Sequence, residues 1–155
     1  MSNLPRVPVV YLAGGMRSNW QDTVIAALPG VVFMDPRKHG SKEEDTYTAY
    51  DLTGVQLCDI VFAYIEAANP CGAGLAVEVG AAAALGKHII YIEEAEFPHH
   101  RYFGMVRALA DSAYTRLPEG IEALAGVCGF TREVGFDCTG YRLMRKSPEL
   151  RLPPA

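Results

Sequence analysis

Apolar residues in this chain fall into short unbroken runs separated by stretches with helical spacing. Val7-Pro8-Val9-Val10-Tyr11-Leu12-Ala13 is β-branched and aromatic and ends in Gly14-Gly15, the pattern of a strand buried on both faces that opens into a tight loop. Trp20, Val24, Ile25 and Leu28 recur three and four apart, predicting a helix over 20–28 that Ser18 or Asn19 caps and Pro29-Gly30 stops. Val31-Val32-Phe33-Met34 reads as a second strand running into the polar loop from Asp35 to Ser41. Helical spacing returns from Glu43 to Leu57 before a third strand, Ile60-Val61-Phe62-Ala63-Tyr64-Ile65. A loop over 66–73 leads to a helix over 74–85 closed by Gly86, then a fourth strand from His88 to Ile92. After the polar loop 93–100 the pattern predicts a helix near 103–112, a short strand over 113–117, and a last helix over 119–127 that Pro118 opens.

Strands apolar on both faces and alternating with helices imply a parallel sheet with right-handed crossovers covered by helices, a doubly wound α/β fold. In such sheets ligands bind beyond the C-terminal strand edges near the point where the strand order reverses, which selects the loops 14–19, 35–45 and 66–74. The length of 155 residues suits one domain, expected over 1–130. Residues 131–155 hold three prolines and show no period, and are expected to form a tail packed on the domain or on a neighbouring subunit.

Composition narrows the partners. Fourteen basic against 18 acidic residues give a net charge of -4, which argues against a polymeric nucleic acid but leaves room for one small phosphate. The apolar run at the N-terminus falls well short of the ~20 residues that span a bilayer, so a soluble, cytoplasmic protein without a membrane partner is expected. The cysteines, Cys58, Cys71, Cys128 and Cys138, form no C-x-x-C pair, so free thiols and no metal site are expected. Gly14-Gly15 lacks the spacing of a dinucleotide fingerprint or a phosphate loop, and no cofactor is implied. His99-His100-Arg101-Tyr102 offers adjacent histidines that point apart and no evident third ligand, and is not read as a metal site.

One residue stands out from this pattern. Glu78 is the single carboxylate in the stretch 71–87, among apolar or backbone-only positions, and an ionised carboxylate is rarely buried without a partner. The sheet places Asp51 and Tyr11 near the same cleft, and two carboxyls with a phenol are equipment for glycosidic-bond chemistry. Each has an ordinary alternative: Glu78 as an acid in the first helical turn, Asp51 on a solvated face, Tyr11 in the core.

Tyr11-Leu12-Ala13-Gly14-Gly15-Met16, Asp51-Leu52-Thr53-Gly54-Val55-x-x-x-Asp59-Ile60 and Gly74-x-x-x-Glu78-Val79-Gly80-x-Ala82-x-x-x-Gly86-Lys87 together resemble the nucleoside 2-deoxyribosyltransferase family over about residues 7–110. The resemblance implies a flavodoxin-like five-stranded parallel sheet with helices on both faces. It implies that Glu78 attacks C1′ of a 2′-deoxynucleoside, that Asp51 contacts the base and manages its proton, and that Tyr11 orients the nucleophile. The helix N-terminus and Tyr11 are expected to keep Glu78 ionised, and the small residues Gly74, Ala76 and Gly80 to let a sugar approach. Gly14 and Gly15 would line the substrate. Relatives complete each site across an interface, often with a methionine, so a homodimer or larger homo-oligomer is expected, with Met105 in that role. The partners implied are 2′-deoxynucleosides and free bases, or deoxynucleoside monophosphates.

Two departures matter. Six residues before Glu78, where relatives carry Asp or Ser near the sugar's 5′ end, this chain has Gly72, with Asn69 or Cys71 as replacements. The superfamily also holds 2′-deoxynucleoside 5′-monophosphate N-glycosidases, which seat a phosphate on Arg and Ser of the first loop, where Arg17-Ser18 stands here. Asp35, in Asp35-Pro36-Arg37, touches the base or closes a turn. A base-exchanging transferase leads, with the hydrolase and a catalytically silent nucleotide-binding module as alternatives.

Overall fold

A computed structural model describes residues 7–134, with side chains through residue 129. Five strands alternate with helices: β1 (Val9–Gly14), α1 (Trp20–Ala27), β2 (Val32–Met34), α2 (Glu44–Leu57), β3 (Ile60–Ile65), α3 (Ala73–Ala84), β4 (His88–Glu93), α4 (Gly104–Leu109), β5 (Ser112–Tyr114) and α5 (Leu117–Val134). Single 3₁₀ turns at Pro36–Lys38 and His100–Phe103 precede α2 and α4. All pairings are parallel, in the order β2-β1-β3-β4-β5. This is the flavodoxin-like order, and its reversal point lies between β1 and β3.

The alternation along each strand sorts side chains onto two cores. Tyr11, Ala13, Val61, Ala63, Ile65, Ile89 and Tyr91 face α2, α3 and α4, where Val55, Leu75, Val79 and Val106 meet them. Val10, Leu12, Ile60, Phe62, Tyr64, Ile90 and Ile92 face α1 and α5, against Trp20, Val24, Leu124 and Cys128. Every residue of β3 is buried, as the middle strand of a sheet covered on both sides must be.

The structure moves several boundaries. The helix expected near 103–112 is a 3₁₀ turn followed by α4, which stops at Leu109, and Ser112 already belongs to β5. Asp111 explains the early stop: its backbone N–H donates to Ile89 O and its carboxylate accepts from Ile89 N, pulling the chain onto the edge of β4. The last helix runs on to Val134 despite Gly126 and Gly129. Asn19 stands at the N-cap of α1 but makes no side-chain cap, and Ser18 donates its hydroxyl to Glu66 instead, so neither residue caps the helix as expected. Beyond Val134, the expected tail and Cys138 lie outside the described residues.

Helix α2 comes down on β1 at Gly54. A Cβ there would stand 2.7 Å from Cδ2 and Cε2 of the Tyr11 ring, closer than side chains tolerate. Gly54→Ala is therefore expected to lower the free energy of unfolding by about 1–3 kcal/mol, the usual cost of overpacking, as measured by urea denaturation. Gly74→Ala, where a Cβ meets open space, is the control and should leave stability unchanged or slightly raised.

Candidate active site

Helix α3 buries one stripe, Leu75, Glu78, Val79, Ala82 and Ala83, at the three- and four-residue spacing of a core-facing helix. Glu78 sits on that stripe at 8% exposure. It is the sixth residue of α3, whose first turn holds no acid, so the first-turn position expected from the sequence is one turn too early. Little of the favourable field at a helix N-terminus reaches that far. What meets Glu78 is the phenol of Tyr11, whose hydroxyl donates to Oε1 at 2.6 Å across 67 residues of sequence.

Burial raises the Glu78 carboxyl from its ordinary range to about 8, with the Tyr11 hydrogen bond pulling it down and the charge of Asp51 pushing it up. The expectation that the helix end and Tyr11 would keep Glu78 ionised is thus corrected: burial outweighs the phenol. Asp51, on α2, is raised mainly by burial, while His39 and the Tyr11 hydroxyl act the other way. The ionisation of Tyr11 itself is pushed far up, first by burial and then by Glu78 and Asp51. The phenol stays neutral between two carboxyl groups.

Tyr11 and Asp51, but not Glu78 behind them, line a cavity of about 500 Å³ together with Phe33, Asp35, His39 and Tyr50. His39, which the sequence reading passed over, stands with Nε2 3.3 Å from Asp51 Oδ1 and its ring stacked on Tyr50, centroids 5.4 Å apart. The signal available was its place in the loop after β2, on the strand edge already selected for ligands. Asp35 is not free to act alone. It accepts from the backbone N–H of Arg37, capping the turn, and its carboxylate is gripped by the Arg37 guanidinium at 2.6–3.0 Å.

The loops after β1 and β3 meet on the other side of Tyr11. Trp20 Nε1–H and Gln21 Nε2–H both donate to Gly15 O, at 2.9 and 3.0 Å, and fix the turn after Gly14. Ser18 donates to Glu66 at 2.5 Å, and Asn69 Oδ1 accepts from the backbone N–H of Cys71. Asn69 also stands close to Gly15, where a Cβ would meet its Nδ2 at 3.1 Å. Arg17 is exposed. Gly72 has φ +74° and its missing Cβ would collide with Ile65 and Phe103, so backbone conformation and packing account for the glycine at this position. Gly74 is exposed at the start of α3, and Met105 is 79% exposed on α4.

The pair His99-His100 is divided as expected from adjacent positions. His99 packs edge-on against Phe97, whereas His100 bonds Glu93, which Arg107 and Tyr91 also hold. Among the described residues no group of three His, Cys, Asp or Glu side chains is arranged to hold a metal, and no helix is long and apolar enough to cross a membrane.

A flavodoxin-like sheet carrying a buried carboxyl, a phenol and a second carboxyl at its C-terminal edge defines a class of α/β proteins suited to attack on a glycosidic carbon. Residues 7–95 match the family model described as "Nucleoside 2-deoxyribosyltransferase like", and the chain belongs to that family. Its fold is similar to that of the CMP N-glycosidase BcmB of Clostridium botulinum, at 20% identity and a TM-score of 0.56 over 77% of this chain and 98% of that one. A 2-desoxiribosyltransferase from Leishmania mexicana aligns with 25% identity and a TM-score of 0.47 over 55% of this chain and 63% of that one. No curated protein matches the sequence closely. Family membership supports an enzyme acting on N-glycosidic bonds, by glycosyl transfer or hydrolysis, with nucleoside-type ligands.

The raised carboxyl of Glu78 carries a stability consequence with a definite sign. Its folded value near 8 lies above the unfolded value of 4.5, so its contribution is fully present below about pH 4.5 and is lost as pH rises to about 8. Glu78→Gln removes the charge and keeps an acceptor for Tyr11. Thermal denaturation should show the variant gaining on the parent as pH rises from 5 to 8.5, and a gap independent of pH would contradict the assignment.

Proposed function

We propose that this chain is a nucleoside 2-deoxyribosyltransferase that exchanges the base of a 2′-deoxynucleoside through a deoxyribosyl ester on Glu78. The observation that carries the reading is the 2.6 Å contact of the Tyr11 hydroxyl with Glu78 Oε1, at the edge of a cavity that Asp51 lines. A Glu78 oxygen attacks C1′, the C1′–N bond breaks, its electrons go to the base, and Asp51 gives that base a proton. A second base then attacks C1′ through its ring nitrogen, Glu78 leaves as carboxylate, and the proton of the incoming base passes to Asp51. Two displacements at one carbon give net retention.

Burial favours the protonated form of Glu78, whereas the reaction needs it ionised and Asp51 protonated. Tyr11 favours the shift. Its hydroxyl donates to Glu78 Oε1, a bond that is stronger to the carboxylate than to the carboxyl, and the phenol itself resists ionisation. Tyr11 therefore steadies the ionised Glu78 that attacks while staying neutral.

The hydrolase reading has one observation in its favour: Arg17 is exposed on the loop after β1, free to meet a 5′-phosphate. Against it, Ser18 already gives its hydroxyl to Glu66.

Incubation with a deoxynucleoside and a second free base, followed by liquid chromatography, should yield the exchanged nucleoside, and Glu78→Ala should reduce it to background. Accumulation of free base and sugar phosphate from a deoxynucleotide, without exchange, would replace the transferase by the hydrolase. Arg17→Ala separates the two independently: turnover of deoxynucleosides should change less than about threefold, whereas loss of a charge-assisted phosphate contact would lower deoxynucleotide turnover by about tenfold or more.

A further inference from the structure

The turn directly after β3 carries two polar groups with bonding capacity to spare. Asn69 N–H donates to Glu66 O at 2.9 Å and closes that turn. Glu94 holds its stem, accepting from Ala67 N–H at 2.6 Å and from the Tyr64 hydroxyl. Both side chains are set by their neighbours. Ser18 donates to Glu66 Oε1, which leaves Oε2 with its lone pairs. Asn69 Oδ1 accepts the N–H of Cys71, which orients the amide and leaves Nδ2 both of its hydrogens to give. A Cβ on Gly15 would stand 3.1 Å from Asn69 Nδ2 and 3.5 Å from Glu66 Oε2, so the two atoms converge beside the bare turn after β1. Neither atom has a hydrogen-bond partner among the described residues and neither is enclosed, so both are open to solvent.

A donor and an acceptor therefore stand together at the C-terminal ends of β1 and β3, where the strand order reverses. A hydroxyl group both gives and accepts a hydrogen, and so satisfies the pair. A phosphate oxyanion only accepts, and it meets a like charge in Glu66, whose side-chain partner is the neutral Ser18 hydroxyl. Of the two hydroxyls of a 2′-deoxynucleoside, the 5′ one rides on an exocyclic carbon and reaches past the ring toward such loops.

We propose that Glu66 and Asn69 bind the 5′-hydroxyl of the sugar, and that the charge of Glu66 turns away a 5′-phosphate, so that the substrate is a free nucleoside rather than a nucleotide. The proposal rests on the reading above only in seating C1′ at Glu78.

Titration calorimetry on the full chain carrying Glu78→Gln, which leaves bound nucleosides intact, tests it with 2′-deoxyinosine and thymidine, their 5′-deoxy analogues and their 5′-monophosphates. In at least one of the two series the nucleoside should bind about tenfold or more tightly than both its analogue and its monophosphate. Glu66→Gln, added to that protein, keeps an acceptor and loses the charge. The monophosphate should then close to within about threefold of the nucleoside, while the 5′-deoxy analogue stays behind. Should the added substitution prevent folding, raised salt takes its place, since screening must narrow the gap to the monophosphate and leave the gap to the 5′-deoxy analogue. A monophosphate or a 5′-deoxy analogue that binds as well as its nucleoside in both series, binding of none, or a phosphate gap unchanged by Glu66→Gln overturns the proposal. Preference for the 5′-hydroxyl without base exchange by the parent chain would uphold it while overturning the transferase reading. Base exchange without that preference would do the reverse.

Discussion

The contact between the Tyr11 hydroxyl and Glu78 is the constraint on which the rest of this architecture depends. Placing a carboxyl on the buried stripe of a helix is unfavourable, and the one hydrogen bond it receives from Tyr11 does not offset that burial. The contact survives because both partners are held from elsewhere. Tyr11 is fixed in β1 by pairing with Met34 on one side and Val61 on the other. Its ring is clamped by Gly54 of α2, and α3 is locked by Leu75, Val79 and Ala82 in the same core. The fold forces two groups together that would not assemble in isolation.

Other buried acids show what is particular about Glu78. Asp35 is forked by Arg37, and Glu93 is held by Arg107 with His100 and Tyr91. Each of these charges is neutralised where it stands, as buried ions usually are. Glu78 has a phenol and, beyond it, another carboxyl. That environment leaves its charge under-compensated, the condition that makes a carboxyl oxygen ready to bond carbon once ionised. Arginine beside Glu78 would have made a stable ion pair and a poor nucleophile.

Much of this was legible in the sequence, for reasons tied to particular residues. The uniformly apolar run from Ile60 to Ile65 reads as an interior strand, and parallel pairing followed from alternation, whereas the flavodoxin-like strand order came only from the family resemblance. Glu78 announced itself because Leu75, Val79, Ala82 and Ala83 define a buried face on which a carboxylate is out of place. What the sequence hid depends on distances that no local pattern encodes. Nothing in the order of residues says that Asp111 would end α4 early by binding Ile89, that Ser18 would reach Glu66 rather than cap α1, or that burial would outweigh Tyr11 at Glu78. His39 was missed for the same reason, since its significance comes from Ser41 and Asp51, which only the folded loop brings to its two ring nitrogens.

The placement of these groups along the sheet also divides the labour of recognition. The loop after β2 contributes His39 and Asp35 to one wall of the cavity, whereas the loops after β1 and β3 contribute Gly15, Arg17, Glu66 and Asn69 on the other side of Tyr11. A nucleoside bound with C1′ at Glu78 would then span the reversal of strand order, its base toward β2 and its sugar toward β3. The two loop groups share no hydrogen-bonded side chain among the described residues: Asp35, Arg37, His39 and Ser41 bond among themselves and to α1, and Ser18, Glu66, Asn69 and Cys71 bond among themselves. Helix α1 joins them nonetheless: Asp22 bonds Arg37 of the loop after β2, while Trp20 and Gln21 hold Gly15 O in the loop after β1, so a change on one side is passed to the other through α1 as well as through β1.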